Sequence, residues 1–279
     1  MKVGYVVLYE DGELVISKNH TQLQKKIIKD YGEFEDTNVS WKNEIEKIKK
    51  IHILNNVKSN CMKSWFEDCI NLTKLINFQN LDVSDCTDFS FMFYNCNLLQ
   101  NLNELQNWNV ANGTNFSRMF SSCKSLQNLN GLQNWNVFNG TAFSGMFENC
   151  KSLQNINALK NWNVSNGTTF PSMFIYCQAL QNINALKNWN VSNGTTFLCM
   201  FDNCQALQNI NALQYWNVSN GTDFSCMFAS CKSLKKISLP NSMKYLNRDM
   251  FFNCNEDLKI HWKKHIYTYT DLLEYQTIY

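Results

Sequence analysis

The chain has 279 residues, of which 44% are hydrophobic and 17% charged, and its formal net charge is +2. So small a net charge gives no electrostatic reason to expect a nucleic-acid or anionic-membrane partner. No apolar run approaches the roughly 20 residues that a membrane span needs, so no membrane span is expected.

The first apolar run meets Glu10 and Asp11 too soon to be a signal peptide, and the sequence as written reads as cytoplasmic. Val3 to Tyr9, Glu10-Asp11-Gly12 and Glu13 to Ser17 together spell a β-hairpin with an Asp-Gly turn. Thr21 to Tyr31 carries Leu23, Ile27 and Ile28 on one side and predicts a helix closed near Gly32. Trp41 to Lys50 predicts a second helix, and residues 1–50 form an N-terminal cap. Ile51 to Leu54 predicts a first rung. It opens an atypical repeat over 51–71 that ends Trp65-Phe66-Glu67-Asp68-Cys69.

From Leu72 the sequence repeats with a period of 27 residues. Full copies start at Leu72, Leu99, Leu126, Leu153, Leu180 and Leu207, filling 72–233. Trp108, Trp135, Trp162, Trp189 and Trp216 form one column. Cys69, Cys96, Cys123, Cys150, Cys177, Cys204 and Cys231 form another. Between Leu99 and Ser233 charged residues are sparse, whereas Lys2 to Lys63 is dense in them. A shorter copy covers 234–257, and 258–279 is a C-terminal cap, with strands expected over Lys259–Thr270 and a helix over Asp271–Gln276.

Each copy divides in two. Phe170, Met173, Phe174 and Cys177 fall at i, i+3, i+4 and i+7, the spacing of one helix face, and Thr168 stands where an N-cap would. The half before it predicts a short strand over Leu153–Asn157, then a turn-rich segment. Asn166-Gly167 predicts a tight turn in which Gly supplies a positive φ. Columns such as Asn109, Asn136 and Asn163 predict amide ladders. A single unit cannot bury its apolar face, but stacked units bury it against one another. The expected fold class is therefore an α/β repeat protein. It is a solenoid of 27-residue units (short strand, turn-rich segment, short helix) with hairpin and helix caps.

The motif W-N-V-x-N-G-T-x-F-S-x-M-F-x-x-C, as at Trp108 to Cys123, resembles the BspA-type leucine-rich repeats, in particular their mycoplasma-type variant of unknown function. Family members often carry W-D-V-S-N-V-T-x-M-x-x-M-F-x-x-C; here Gly and Phe replace the Val and first Met. The resemblance implies a leucine-rich-repeat solenoid, horseshoe-like or gently curved. It also implies adhesion, surface-antigen or protein-binding roles, and a secreted or surface location as the alternative to the cytoplasm.

Chemical sites are scarce. The cysteine ladder has the repeat's own spacing, not the close pairs of a zinc site, and reads as buried apolar filling. Cys199 and Cys226 lie off that ladder and are candidates for exposure and mutual pairing. The tryptophan column reads as core, with a sugar-stacking platform as the alternative. His20, His52, His261 and His265 lie outside the full repeats; His261 and His265 are near each other in sequence, with no nucleophile or acid placed beside them. No catalytic residue, metal site or cofactor is expected.

Columns that change between copies are the candidates for recognition. Lys160, Lys187 and Gln214 share one such column, Ile175 belongs to another, and Phe138 and Tyr215 are apolar where other copies are polar. These six are the candidate partner-binding residues. The expected function is a non-catalytic scaffold for a protein partner. Self-association or glycan-binding adhesion are the alternatives.

Overall fold

A computed structural model gives the fold and describes residues 2–274, 277 and 278. Lys2–Tyr9 (β1) and Glu13–Ser17 (β2) form the antiparallel hairpin expected from the Asp-Gly signal. Ile27–Glu35 (β3) is a strand antiparallel to β1, not a helix. The open edge of β1 offers backbone groups that need partners, and that demand outweighs the helical spacing of Leu23, Ile27 and Ile28. Lys42–Lys47 is a 3-10 helix, shorter than the helix expected to run to Lys50. It stops because Lys50–Ile53 (β4) pairs in parallel with β2, Leu14 facing Ile51 and Ile16 facing Ile53.

Val57–Lys58 (β5) follows, then Lys74–Ile76 (β6), parallel to β4, and Leu81–Asp82 (β7), parallel to β5. The sheet order β3-β1-β2-β4-β6 makes β2 the start of the parallel stack that the repeats continue.

The repeats differ from the expected strand-and-helix unit in both halves. Among the described residues between Val83 and Lys235, the assigned helices and strands are all 3-10 turns. The Phe170–Cys177 segment is a chain of overlapping turns. Met173 donates to the Phe170 carbonyl at 3.4 Å, Ile175 to Ser172 at 3.2 Å and Cys177 to Phe174 at 3.1 Å. The alternate N–H groups leave the rung. Phe170, Ser172, Phe174 and Tyr176 donate to Thr196, Leu198, Met200 and Asp202 of the next rung at 2.8 to 3.2 Å. Ser172 and Tyr176 have φ of 56° and 60°, which a right-handed helix does not allow. The i, i+3, i+4, i+7 spacing serves both conformations. The neighbouring rung selects the turns, because they leave every second N–H free to bind it. Thr168 accordingly caps no helix; its N–H and hydroxyl both go to the Thr141 carbonyl, at 2.9 and 3.2 Å.

In the other half, the strand expected at Leu153–Asn157 does not form: 153–156 has no regular element, and a 3-10 helix begins at Asn157 and runs to Asn161. Strands form in that column where Lys stands in place of Asn155, in β4, β6, Lys236–Ser238 (β8) and Lys259–Trp262, whereas between Asn-bearing rungs the described pairing is an isolated parallel bridge of Asn182 with Asn209. In the repeats the Asn side chain competes for the backbone: Asn182 accepts the Asn184 N–H at 3.3 Å and Asn209 that of Asn211 at 2.8 Å.

Gly167 also has a different reason for being glycine. Its φ is not positive; instead, an added Cβ would stand 2.4 Å from Phe170 Cζ. The expected amide ladder is displaced too. Asn163 accepts its own turn's Ser165 N–H at 3.1 Å, and it is Asn166 that reaches the previous rung, donating to the Phe138 carbonyl at 2.9 Å.

The C-terminal end comprises Leu246–Asn247 (β9), Lys259–Trp262 (β10), His265–Thr268 (β11), Tyr269–Glu274 (α1) and Thr277–Ile278 (β12). β10 runs parallel to β8 and antiparallel to β11, giving the strand pair expected there. Thr268 and Asp271 cap α1 reciprocally: the Asp271 N–H donates to the Thr268 hydroxyl at 3.2 Å, and Thr268 donates back to the carboxylate. Tyr275 and Gln276, the end of the expected terminal helix, lie outside the described residues. The main hydrophobic core runs from Val3 to Leu272, and Val7, Tyr9 and Val15 form a small second cluster in the hairpin.

Candidate functional site

The repeat's largest side chains are consumed by packing. Trp108, Trp135, Trp162, Trp189 and Trp216 stack at 6.3 to 6.5 Å and are 3 to 5% exposed. Each donates its indole N–H to a carbonyl 30 residues earlier, as Trp189 does to Leu159 at 2.9 Å. Phe89 to Phe224 stack at 5.4 to 5.6 Å beside them. Buried aromatics of this kind contribute about 1.5–3 kcal/mol each, and the indole hydrogen bonds keep their burial from being costly. The indoles offer no face to a sugar, which removes the stacking platform.

The cysteine ladder is equally internal. Cys177 donates its thiol to the Phe147 carbonyl at 3.2 Å, and Cys96, Cys123, Cys150, Cys204 and Cys231 repeat the contact. Burial pushes these thiols up, Cys123 to about 12, so at neutral pH they are protonated filling.

The constellation most like a catalytic one is Glu13, His52 and Asn77. His52 Nδ1 lies 2.8 Å from the buried Glu13 carboxylate, and Asn77 Nδ2 lies 3.1 Å from His52 Nε2. Asn77 thus occupies the position a nucleophile would need. Burial would raise Glu13, but hydrogen bonds from Lys25 and His52 outweigh it and hold the carboxyl below its usual range. This is a structural arrangement: a Glu13–His52 hydrogen bond joins β2 to β4, and Lys25 forms the ion pair with Glu13.

What remains outside the core is the set of changing columns. Lys160, Lys187 and Gln214 follow the buried Leu159, Leu186 and Leu213 on successive 3-10 segments, Asn157–Asn161, Asn184–Asn188 and Asn211–Tyr215. All three are exposed. Tyr215 is 61% exposed, and Lys187 Nζ sits 4.6 Å from its ring centroid, a cation–π contact across two rungs. The structure therefore brings Lys187 and Tyr215 together on a row that also holds Lys160 and Gln214. Phe138, 45% exposed, stands on the turn after Val137. Ile175 is half-buried in the turn array. These two lie on other segments of their rungs.

Other exposed apolar residues escaped the sequence reading. Tyr176, Leu198, Phe252 and Ile266 are 36 to 62% exposed. Tyr176 carries a usable signal: its column holds Asn95, Asn149 and Asn203, residues that tolerate the positive φ found there. Phe252 lies in the shorter copy, in the changing column of Ile175 and Ala229, and Ile266 lies in the C-terminal cap, where no column exists to compare.

Parallel rungs, joined by backbone bonds and filled by aligned side chains, define a tandem-repeat solenoid. The family model described as "Mycoplasma protein of unknown function, DUF285" matches residues 58–182 and 154–262, and the chain belongs to that family. No curated protein matches the sequence. Among solved structures, a leucine-rich repeat protein from Eubacterium ventriosum is 14% identical, with 91% of this chain and 95% of that one covered, at a TM-score of 0.32. A leucine rich cell surface protein from Faecalibacterium prausnitzii is 13% identical, with 95% of each chain covered, at 0.28. A leucine-rich repeat protein from Bacteroides ovatus is 12% identical, with 95% and 99% covered, also at 0.28. At these TM-scores the likenesses carry no argument about a site. Among the described residues, no helix is long and apolar enough to cross a membrane.

Proposed function

We propose that the chain is a non-catalytic scaffold that binds a protein partner along the row of 3-10 segments bearing Lys160, Lys187, Gln214 and Tyr215. The observation that carries this reading is Tyr215, a large aromatic left exposed beside Lys187 in a molecule that buries its repeated aromatics. An exposed aromatic on a rigid backbone loses little entropy on binding, and such residues dominate interface energies. Phe138 extends the surface toward the adjoining turn, and Ile175 contributes at its rim. Residues 1–50 and 258–279 act as caps that keep the ends of the 27-residue stack from water.

The test is capture of proteins from the source cell by the wild-type chain and by the K160A/K187A/Y215A variant. A protein held by the wild type and lost by the variant supports the reading. Equal capture by both removes this face.

A second reading, self-association, is favoured by Phe252 and Ile266 near the C-terminal end, 62% and 61% exposed, and by the edge position of β11. Sedimentation at high concentration decides it: a strict monomer removes the reading.

A further inference from the structure

The twelve cysteines are of two kinds. Nine are buried, and Cys61, Cys199 and Cys226 are half-buried. Cys199 and Cys226 occupy the same column in successive rungs, a column held elsewhere by Phe91, Arg118, Gly145 and Ser172. The Cys199 N–H donates to the Ser225 carbonyl at 2.9 Å, which fixes the two rungs in register at this point. Their φ values are 54° and 55°, so the two residues enter the column with the same backbone twist. Adjacent rungs stand about 4.8 Å apart, inside the Cα separation of about 4.4–6.8 Å that a disulfide spans. Both side chains are half-buried at this face of the turn array. Ladder thiols such as Cys204, by contrast, are turned inward onto backbone carbonyls.

We propose that Cys199 and Cys226 are a redox pair that closes to a disulfide between neighbouring rungs and staples them at the surface of the turn array.

The co-reactant is a small disulfide of the glutathione class. Cys226 acts first, losing its proton to water. Its thiolate attacks one sulfur of the small disulfide, breaking that S–S bond, forming a mixed disulfide and releasing one small thiolate. Cys199 then loses its proton and attacks the Cys226 sulfur. The protein S–S bond forms, the mixed bond breaks and the second small thiolate leaves. The two protein protons end on the two released thiols. The protein pair loses two electrons and the small disulfide gains them. Burial pushes Cys199 up to about 12 and Cys226 in the same direction, so little thiolate exists at neutral pH and closure accelerates in alkali.

The experiment uses the full chain and oxidised glutathione as the probe, between about pH 6.5 and 8.5. Samples are quenched in acid and cleaved at methionine, since Met200 separates the two cysteines, then read by non-reducing fragmentation mass spectrometry. The expected product is a Cys199–Cys226 link whose rate rises about tenfold per pH unit. Cys199→Ser should arrest the reaction as a glutathione adduct on Cys226. Links among other cysteines, separate adducts on both sulfurs without closure, or no reaction at either while Cys61 is modified would each overturn the proposal. The wild-type product map stands independently of whether the variant folds.

Discussion

The indole nitrogen of Trp162 donates to the backbone carbonyl of Leu132, 30 residues earlier, at 3.0 Å. One side chain thereby fills the core of its own rung and satisfies the backbone of the one before. Trp162→Phe keeps most of the apolar volume but leaves the Leu132 carbonyl without its donor. The expected loss is about 1–3 kcal/mol, read from urea denaturation. An unchanged midpoint would show that the hydrogen bond contributes little.

Glycine in the N-G-T turn is required by a ring. Gly167→Ala places a methyl 2.4 Å from Phe170 Cζ, and Phe170 is itself fixed between Phe143 and Phe197. A destabilisation of about 1–3 kcal/mol is expected from overpacking. Gly131→Ala should also destabilise, although alanine is the residue of the later copies, because its methyl would lie 1.8 Å from the Leu102 carbonyl oxygen. Thermal unfolding of both variants checks the pair.

The Glu13 carboxyl ties β2 to β4 through His52 and to Lys25 on the segment before β3. Its folded value lies below the ordinary 4.5. A group depressed on folding adds stability that is fully present above the unfolded value and lost as pH falls through the folded one. Stability should therefore decline below about pH 4.5, and Glu13→Gln should flatten that decline while costing about 1 kcal/mol at neutral pH. Denaturation midpoints between about pH 3 and 7 test both parts; an unaltered slope in the variant would remove Glu13 from the account.

Tyr215 and Lys187 face solvent, so Tyr215→Ala and Lys187→Ala should each move stability by no more than about 0.5–1 kcal/mol. Partner capture should nevertheless fall. A large stability loss would mean that the row is packed more tightly than its exposure indicates, and would undercut its role as a binding face.

Thiol labelling separates the cysteine classes. In the native chain Cys61 should react with a small alkylating reagent well before Cys123, Cys150 or Cys177. These last three should react only as fast as the rungs open. Time-resolved mass mapping gives the order, and early labelling of Cys150 would show that the ladder is not sealed.

The period was legible because it is written in single residues. Trp162, Phe170, Met173, Phe174 and Cys177 recur in step, and that recurrence by itself assigned them to the interior. The hairpin at Glu10-Asp11-Gly12 was equally plain, because Asp-Gly between alternating apolar runs has a strong local preference. The row containing Lys160, Lys187 and Gln214 was visible as a column that changes between copies.

Tertiary structure decided the rest. An apolar spacing states which side chains face inward, but not where the backbone N–H groups go. The N–H of Ser172 has its partner on Leu198 in the next rung, a choice no window of local sequence contains. That choice turned the expected helix into a turn array and put residues such as Cys199 and Tyr176 at positive φ. The segment before β3 and β3 itself were misread for the same reason: the open edge of β1 is a property of the fold. The meeting of Lys187 with Tyr215, and of Cys199 with Cys226, likewise exists only once rungs 27 residues apart in sequence lie in register. The sequence alone thus determined what is buried. The stacking of one rung on the next decided the backbone that buries it and the side chains left to meet a partner.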